Sequence, residues 1–290
     1  MPELPEVEAV RRALQPVMEG ARFDKVVLRR PDLRAPFPRH FATRLEGRTV
    51  RTLGRRGKYL LAELSSGDLL LMHLGMSGSF RVEPTRVPRV RRATVRTAVG
   101  HDHVVFHMSS AATVTFNDPR RFGFMDLIPH DELPGHRALG ALGPEPLAPE
   151  FDAAVLARAC KGRTTPLKAV LSDQRVIAGL GNIYVCEALH HARLSPRRRA
   201  SSIATRTGAP RDSAYRLAVA IKSVLHEAIA RSMASERDEP GATDAIAYSP
   251  DRFRVYDREG ARCVRRRCTG VVKRIVQAGR STFFCPVCQR

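Results

Sequence analysis

Four of the six cysteines crowd the C-terminal end as Cys263-x4-Cys268, sixteen intervening residues and Cys285-x2-Cys288. Two close pairs of thiolates, each aimed by a tight turn, make the soft tetrahedral donor set that Zn2+ prefers. In a cytosolic chain such clustering favours a metal over disulfides. The CPVC pair has ordinary zinc-ribbon spacing, and the first pair is wider by two residues. Between the pairs, VVKRIVQAGRSTFF alternates as a hairpin would and carries Lys273, Arg274 and Arg280. Cys160 and Cys186 stand alone on apolar helical segments and read as core residues. Two other segments carry chemistry. In GLGNIY, Gly179–Tyr184, the glycines and asparagine permit a tight turn at a helix start, either a phosphate seat or a simple turn. In NDPRRFG, Asn117–Gly123, an aromatic flanked by arginines suits insertion into a base stack, or is a charged turn with one buried Phe.

Elements must position these groups. Pro5 to Gly20 predicts a helix, with Val7, Val10, Leu14 and Val17 on one face. Short β-type runs follow at Phe23–Arg29, Thr49–Leu53, Lys58–Leu64, Asp68–Leu74, His103–Met108, Thr113–Asn117 and Gly123–Ile128, a spacing that indicates a β-sandwich. Arg81–His101 holds many arginines and little periodicity, and reads as a mobile basic loop, phosphate-touching or merely solvated. From Asp152 the period becomes helical, at Ala153–Cys160, Pro166–Asp173, Ile183–His191 and Ser213–Ser232; Met233–Pro250 reads as a loop.

Composition bounds the partners. The 290 residues are 43% hydrophobic, so sizeable cores can be buried in two or three compact units. With 49 Lys+Arg against 29 Asp+Glu the formal charge is +20. That suits a polyanion, nucleic acid before membrane because Trp is absent and no basic amphipathic helix stands out; an arginine-rich coding bias is the alternative. No apolar run approaches a membrane span, and MPELPEVEAV lacks the pattern of a secretory signal, so cytoplasmic residence is expected.

Taken together, MPELPEVE, GRRGKYLL (Gly54–Leu61), HLGMSG (His73–Gly78), NDPRRFG, LGPEPL (Leu142–Leu147), DQRVIAGLGNIYVCEAL (Asp173–Leu189) and the cysteine tail resemble the formamidopyrimidine-DNA glycosylases in order and spacing over nearly the whole chain. The resemblance implies an α+β multidomain fold. Residues 1–135 would form a two-layered β-sandwich catalytic domain, 136–250 a helical helix–two-turn–helix domain with a lesion-recognition loop, and 251–290 a zinc finger hairpin, with DNA bound between domains. It implies a bacterial, nucleoid-associated monomer acting on double-stranded DNA that contains oxidised bases or abasic sites. One structural Zn2+ would be held by Cys263, Cys268, Cys285 and Cys288.

The same resemblance assigns roles. Pro2, exposed once Met1 is removed, is similar to the family nucleophile. Its terminal amine has a reference pKa of about 8, so a useful fraction is neutral near pH 7. Attack at C1′ gives an iminium, the electron sink for β,δ-elimination. Glu3 matches the carboxylate that protonates the opening sugar, and Lys58 the lysine near the lesion phosphate. Alone, PELPEVE would read only as a helix start. Met76, Arg120 and Phe122 match the residues that fill the gap left by the flipped nucleotide. His101, Asn182 and Arg280 match further DNA contacts.

The chain departs from the pattern in its wider first cysteine pair and at a glycine pair and a Gly-Tyr pair, replaced by Ser232, Met233 and Ala247–Tyr248. The second change falls where purine lesions are read, so weaker 8-oxoguanine excision is expected. Three functions compete: excision of oxidised purines with strand cleavage, the same chemistry on oxidised pyrimidines as in the endonuclease VIII branch, and damaged-DNA binding without catalysis. Met76 and Phe122 argue against the second, and Pro2, Glu3 and Lys58 together against the third.

Overall fold

In the computed structural model, which describes residues 2–84, 99–238 and 253–290, the chain divides into two units, residues 1–140 with 229–247 and residues 141–228 with 248–290.

The first unit opens with α1 (Leu4–Met18). Proline in its first turn sacrifices an amide that no helical partner would use, and Val7, Leu14 and Met18 are buried. Two four-stranded antiparallel sheets follow. One runs β1-β6-β7-β5 (Phe23–Leu28, Asp102–Met108, Ala112–Asn117, Ser79–Pro84), the other β2-β3-β4-β8 (Val50–Arg56, Tyr59–Leu64, Leu69–His73, Phe124–Ile128). Alternate residues of both sheets enter one core. Phe23 meets Phe106 at 5.3 Å and Phe80 meets Phe116 at 5.0 Å, while Leu53, Leu60, Leu70 and Met72 enter from the other sheet. This is the expected sandwich, each buried Phe or Leu stabilising by about 1.5–3 kcal/mol relative to exposure.

The Arg81–His101 reading needs correction at its ends. Residues 81–84 belong to β5, paired with β7, and Val99–His101 is a 3-10 turn; residues 85–98 lie outside the described ones. Arginine hid the strand. The Arg81 guanidinium lies 3.1 Å from the Asp102 carboxylate, a compensation invisible in local sequence. A short helix, α2 (Phe41–Leu45), also went unexpected.

The second unit is helical where expected: α3 (Ala153–Cys160), α4 (Leu167–Leu171), α5 (Asn182–His191) and, up to Ala228, α6 (Asp212–Asp238), then a hairpin of β9 (Lys273–Gln277) and β10 (Arg280–Phe284). Cys160 and Cys186 are buried in its core. Helix α6 runs beyond Ser232 to Asp238, so the expected loop cannot begin at Met233; residues 239–250, with Ala247–Tyr248, lie outside the described ones. Serine and methionine at 232 and 233 permit that extension, whereas each glycine inside a helix costs about 1 kcal/mol.

Candidate functional site

Pro2 precedes α1 by two residues, and Glu3 is the helix N-cap, only 2% exposed. The Glu3 amide donates to Glu6 Oε2 at 2.7 Å, half of a reciprocal capping box. The head of the helix therefore holds Glu3 rigidly and carries Pro2 with it. On the next turn Glu8 accepts from Arg12 at 2.7 Å, Arg11 at 2.9 Å and Arg55 at 3.1 Å. Burial alone would raise its pKa. The hydrogen bonds of Arg11 and Arg12, with the charges of Arg11 and Arg55, outweigh that and hold it at about 2.

Arg55 extends this brace. Its Nη1 donates to the Gly57 carbonyl at 2.8 Å, across the turn that carries Lys58. Arg56 pairs with Tyr59, leaving a two-residue hairpin loop in which Gly57 has φ +58 and Lys58 is not left-handed. That matches a II′ turn, whose first position calls for glycine. Lys58 bears on His73, whose pKa falls to about 4 through burial and then the charges of Lys58 and Arg34. The neutral imidazole stacks on Phe124 at 5.5 Å, and its Nδ1 accepts from the Gly75 amide at 3.0 Å.

HLGMSG and NDPRRFG form two adjoining turns. Gly75 has φ +64, and a Cβ there would lie 2.2 Å from the Phe122 backbone. This close approach sets the turn that carries Met76, 43% exposed, against the turn that carries Phe122, 40% exposed. The Arg120 guanidinium lies 4.7 Å from the centre of the Phe122 ring, a cation–π contact. The three expected gap-filling residues are thus exposed on two abutting turns of the first unit. His101 lies at their root, its side chain exposed and its carbonyl accepting from the Asp118 amide at 3.0 Å.

In the second unit Asn182 starts α5 after the N-cap Gly181. Gln174 braces the preceding loop, accepting from the Gly179 amide at 2.9 Å and donating to the Leu180 carbonyl at 2.7 Å. Asn182 Nδ2 donates to the Ser281 carbonyl at 3.0 Å, next to Arg280. Arg280 is exposed and follows a tight turn in which Ala278 and Gly279 both have positive φ. Sequence reasoning missed Lys168, a buried cation whose Nζ donates to Asn182 Oδ1 and Thr282 Oγ1, both at 2.6 Å, locking α5 to the hairpin. It also missed Glu187, whose carboxylate accepts from the backbone amides of Arg254, Val255 and Tyr256, each at 2.9 Å. A lysine near an acceptor-rich turn, and a glutamate within the otherwise apolar run Ile183–Leu189, were the available signals.

The four cysteine sulfurs lie within 4.8 Å of one another, with Cys263–Cys288 at 3.8 Å and Cys268–Cys285 at 3.7 Å. A tetrahedral site with bonds of about 2.3 Å has edges of about 3.8 Å, so the group can hold one metal ion. The wide first pair does not spread the sulfurs. Arg265, inside it, donates to the His190 carbonyl at 2.7 Å and caps the end of α5.

Two family models match, described as the formamidopyrimidine-DNA glycosylase N-terminal domain over residues 1–125 and the formamidopyrimidine-DNA glycosylase H2TH domain over residues 142–239. A formamidopyrimidine-DNA glycosylase of Bradyrhizobium sp. (strain ORS 278) is 60% identical over 293 residues, covering 100% of both chains. Among solved structures, the complex of the Lactococcus lactis Fpg with DNA containing an abasic site is 30% identical at a TM-score of 0.80, over 100% of each chain. A mutant of that protein, bound to DNA containing Fapy-dG, aligns with the same identity, score and coverage, 30%, 0.80 and 100%.

Proposed function

The chain belongs to the formamidopyrimidine-DNA glycosylase family, and from that premise we propose that it excises oxidised purines, formamidopyrimidine and 8-oxoguanine, from duplex DNA and then cleaves the strand through a Schiff base on Pro2. The chain is a base-excision DNA repair enzyme, a DNA glycosylase and abasic-site lyase, and its partner is damaged DNA. The observation that carries the reading is the joint exposure of Met76, Phe122 and Arg120 on two abutting turns. Apolar and cationic groups so arranged suit the gap left in a base stack and the phosphates beside it.

In the proposed reaction the neutral Pro2 nitrogen attacks C1′ as the glycosidic bond breaks, and the base departs with the proton that the nitrogen gives up. Glu3 protonates the ring oxygen as the sugar opens. The resulting iminium accepts the electron pair left when C2′ loses a proton, and the enamine so formed returns it to break the C3′–O bond and expel the 3′ phosphate; loss of the C4′ proton then drives a second elimination that expels the 5′ phosphate. Lys58 holds the phosphate at the lesion. Asn182, Arg280 and His101 hold the flanking backbone, where hydrogen-bond donors suit phosphate oxygens. Cys263, Cys268, Cys285 and Cys288 hold a structural Zn2+, their thiolates supplying the soft donors this ion selects.

We assign residues 1–135 to the catalytic domain, 136–250 to the helix–two-turn–helix domain and 251–290 to the zinc finger. No helix among the described residues is long and apolar enough to cross a membrane, and the proposed setting is the bacterial cytoplasm at the nucleoid, as a monomer. Borohydride reduction in the presence of abasic-site DNA tests the chemistry. Reduction should freeze the iminium as a covalent protein–DNA adduct, and absence of that adduct would overturn the mechanism and favour simple binding.

A further inference from the structure

Asp118 is fully buried at 0% exposure between the two turns that present Met76 and Phe122. Its Oδ1 accepts from the Ser77 hydroxyl at 2.6 Å, and its Oδ2 accepts from the Gly123 amide at 2.7 Å. One carboxylate thus takes a proton donor from the residue after Met76 and another from the residue after Phe122. Ser77 Oγ also accepts from the Arg120 amide at 3.3 Å, so the third gap-filling residue joins the same lattice. Asp118 is itself held at both ends of its peptide. Its amide donates to the His101 carbonyl at 3.0 Å, and its carbonyl lies 2.9 Å from His103 Nε2, which must carry the proton because a carbonyl only accepts.

We propose that Asp118 is a positioning residue for extrusion of the damaged nucleotide: it ties the Met76 turn to the Arg120–Phe122 turn, so that the three side chains enter the duplex as one body. This rests on the gap-filling reading given above. Exposed apolar groups on two independent loops would each lose freedom on insertion, and joining the loops beforehand removes that cost from the binding step. A cross-brace of this kind matters where a stacked base must be displaced, and little where the abasic sugar already lies outside any duplex.

The measurement is the ratio of single-turnover excision of formamidopyrimidine from duplex DNA to cleavage of an abasic site in single-stranded DNA, each with the full-length enzyme. Asp118→Ala should lower the ratio about tenfold, because insertion and not the Pro2 chemistry is impaired. Ser77→Ala, which removes one arm of the brace at a partly exposed position, should lower it less. Asp118→Asn should restore it, since the amide oxygen can accept from Gly123 while its NH2 donates to Ser77. An unaltered ratio in both Asp118→Ala and Ser77→Ala overturns the proposal, as does Asp118→Asn falling as far as Asp118→Ala, which would make the charge and not the brace essential. Phe122→Ala is the reference: if it leaves the ratio unaltered the gap-filling reading itself fails, whereas a fall in Phe122→Ala without one in Asp118→Ala rejects the brace alone.

Discussion

A proline nitrogen can attack only when no residue precedes it. Pro2→Gly should therefore slow both base removal and strand cleavage, and a form that keeps Met1 should give no borohydride adduct; an adduct of normal yield in that form would refute the terminal-amine mechanism. Composition and spacing gave no hint of this role, because read alone Pro2 and Glu3 are a helix start, and it was the resemblance that assigned them chemistry. Asp118 escaped notice for a related reason: an aspartate before proline and arginines reads as a turn residue, and only the fold reveals that it is buried. Glu8 offers a measurable test of the scaffold beneath the proposed nucleophile. Its folded pKa of about 2 lies below the ordinary 4.5. The stabilisation it provides is thus complete above pH 4.5 and lost as pH falls toward 2. Glu8→Gln should cost about 2–3 kcal/mol in urea unfolding at pH 7 and much less near pH 2. An equal cost at both pH values would show that the carboxylate's charge is not what stabilises α1.

Elements were legible wherever their periodicity was strong. The stripe of α6 and the alternation of β3 stood out because one face of each is more deeply buried than the other, whereas β4 and β6 read as short apolar runs, buried nearly throughout. Strand β5 was lost because arginine marks solvent unless a buried partner such as Asp102 neutralises it. The tail hairpin was legible through its alternation and its cysteines, but the way α5 grips it was not, since Lys168 and Thr282 meet across 114 positions of sequence. That grip shapes the expected effect of metal loss. Chelation, or Cys285→Ala, should loosen β9 and β10 and with them Arg280, weakening DNA affinity. The sandwich core, which contains none of the ligands, should keep its cooperative unfolding transition. Metal analysis that finds far less than one zinc per chain, or affinity that survives chelation, would contradict this.

At the scale of the molecule, a formal charge of +20 should make affinity steeply salt-dependent. Each neutralised phosphate contributes about 0.9 to the slope of log K against log salt. Arg280→Ala should lower that slope and weaken binding across lesion types. A change of lesion preference without loss of general affinity would contradict its reading as a phosphate contact. Lesion preference should instead follow the altered positions, Ser232 and Met233 inside α6, which runs to Asp238, and Ala247 further along the chain. We expect 8-oxoguanine opposite cytosine to be excised more slowly than a formamidopyrimidine, with cleavage at an abasic site robust. Equal single-turnover rates for the two bases would show these substitutions to be neutral. The contact between Gly75 and the Phe122 backbone has a consequence for heritable variation. Any side chain at position 75 collides with main chain that cannot step aside, so a saturation library should return an alphabet of one letter there. Position 76, directly beside it and open to solvent, should accept many large apolar residues. Natural selection could then retune the side chain proposed to enter the duplex while the frame that presents it stays fixed.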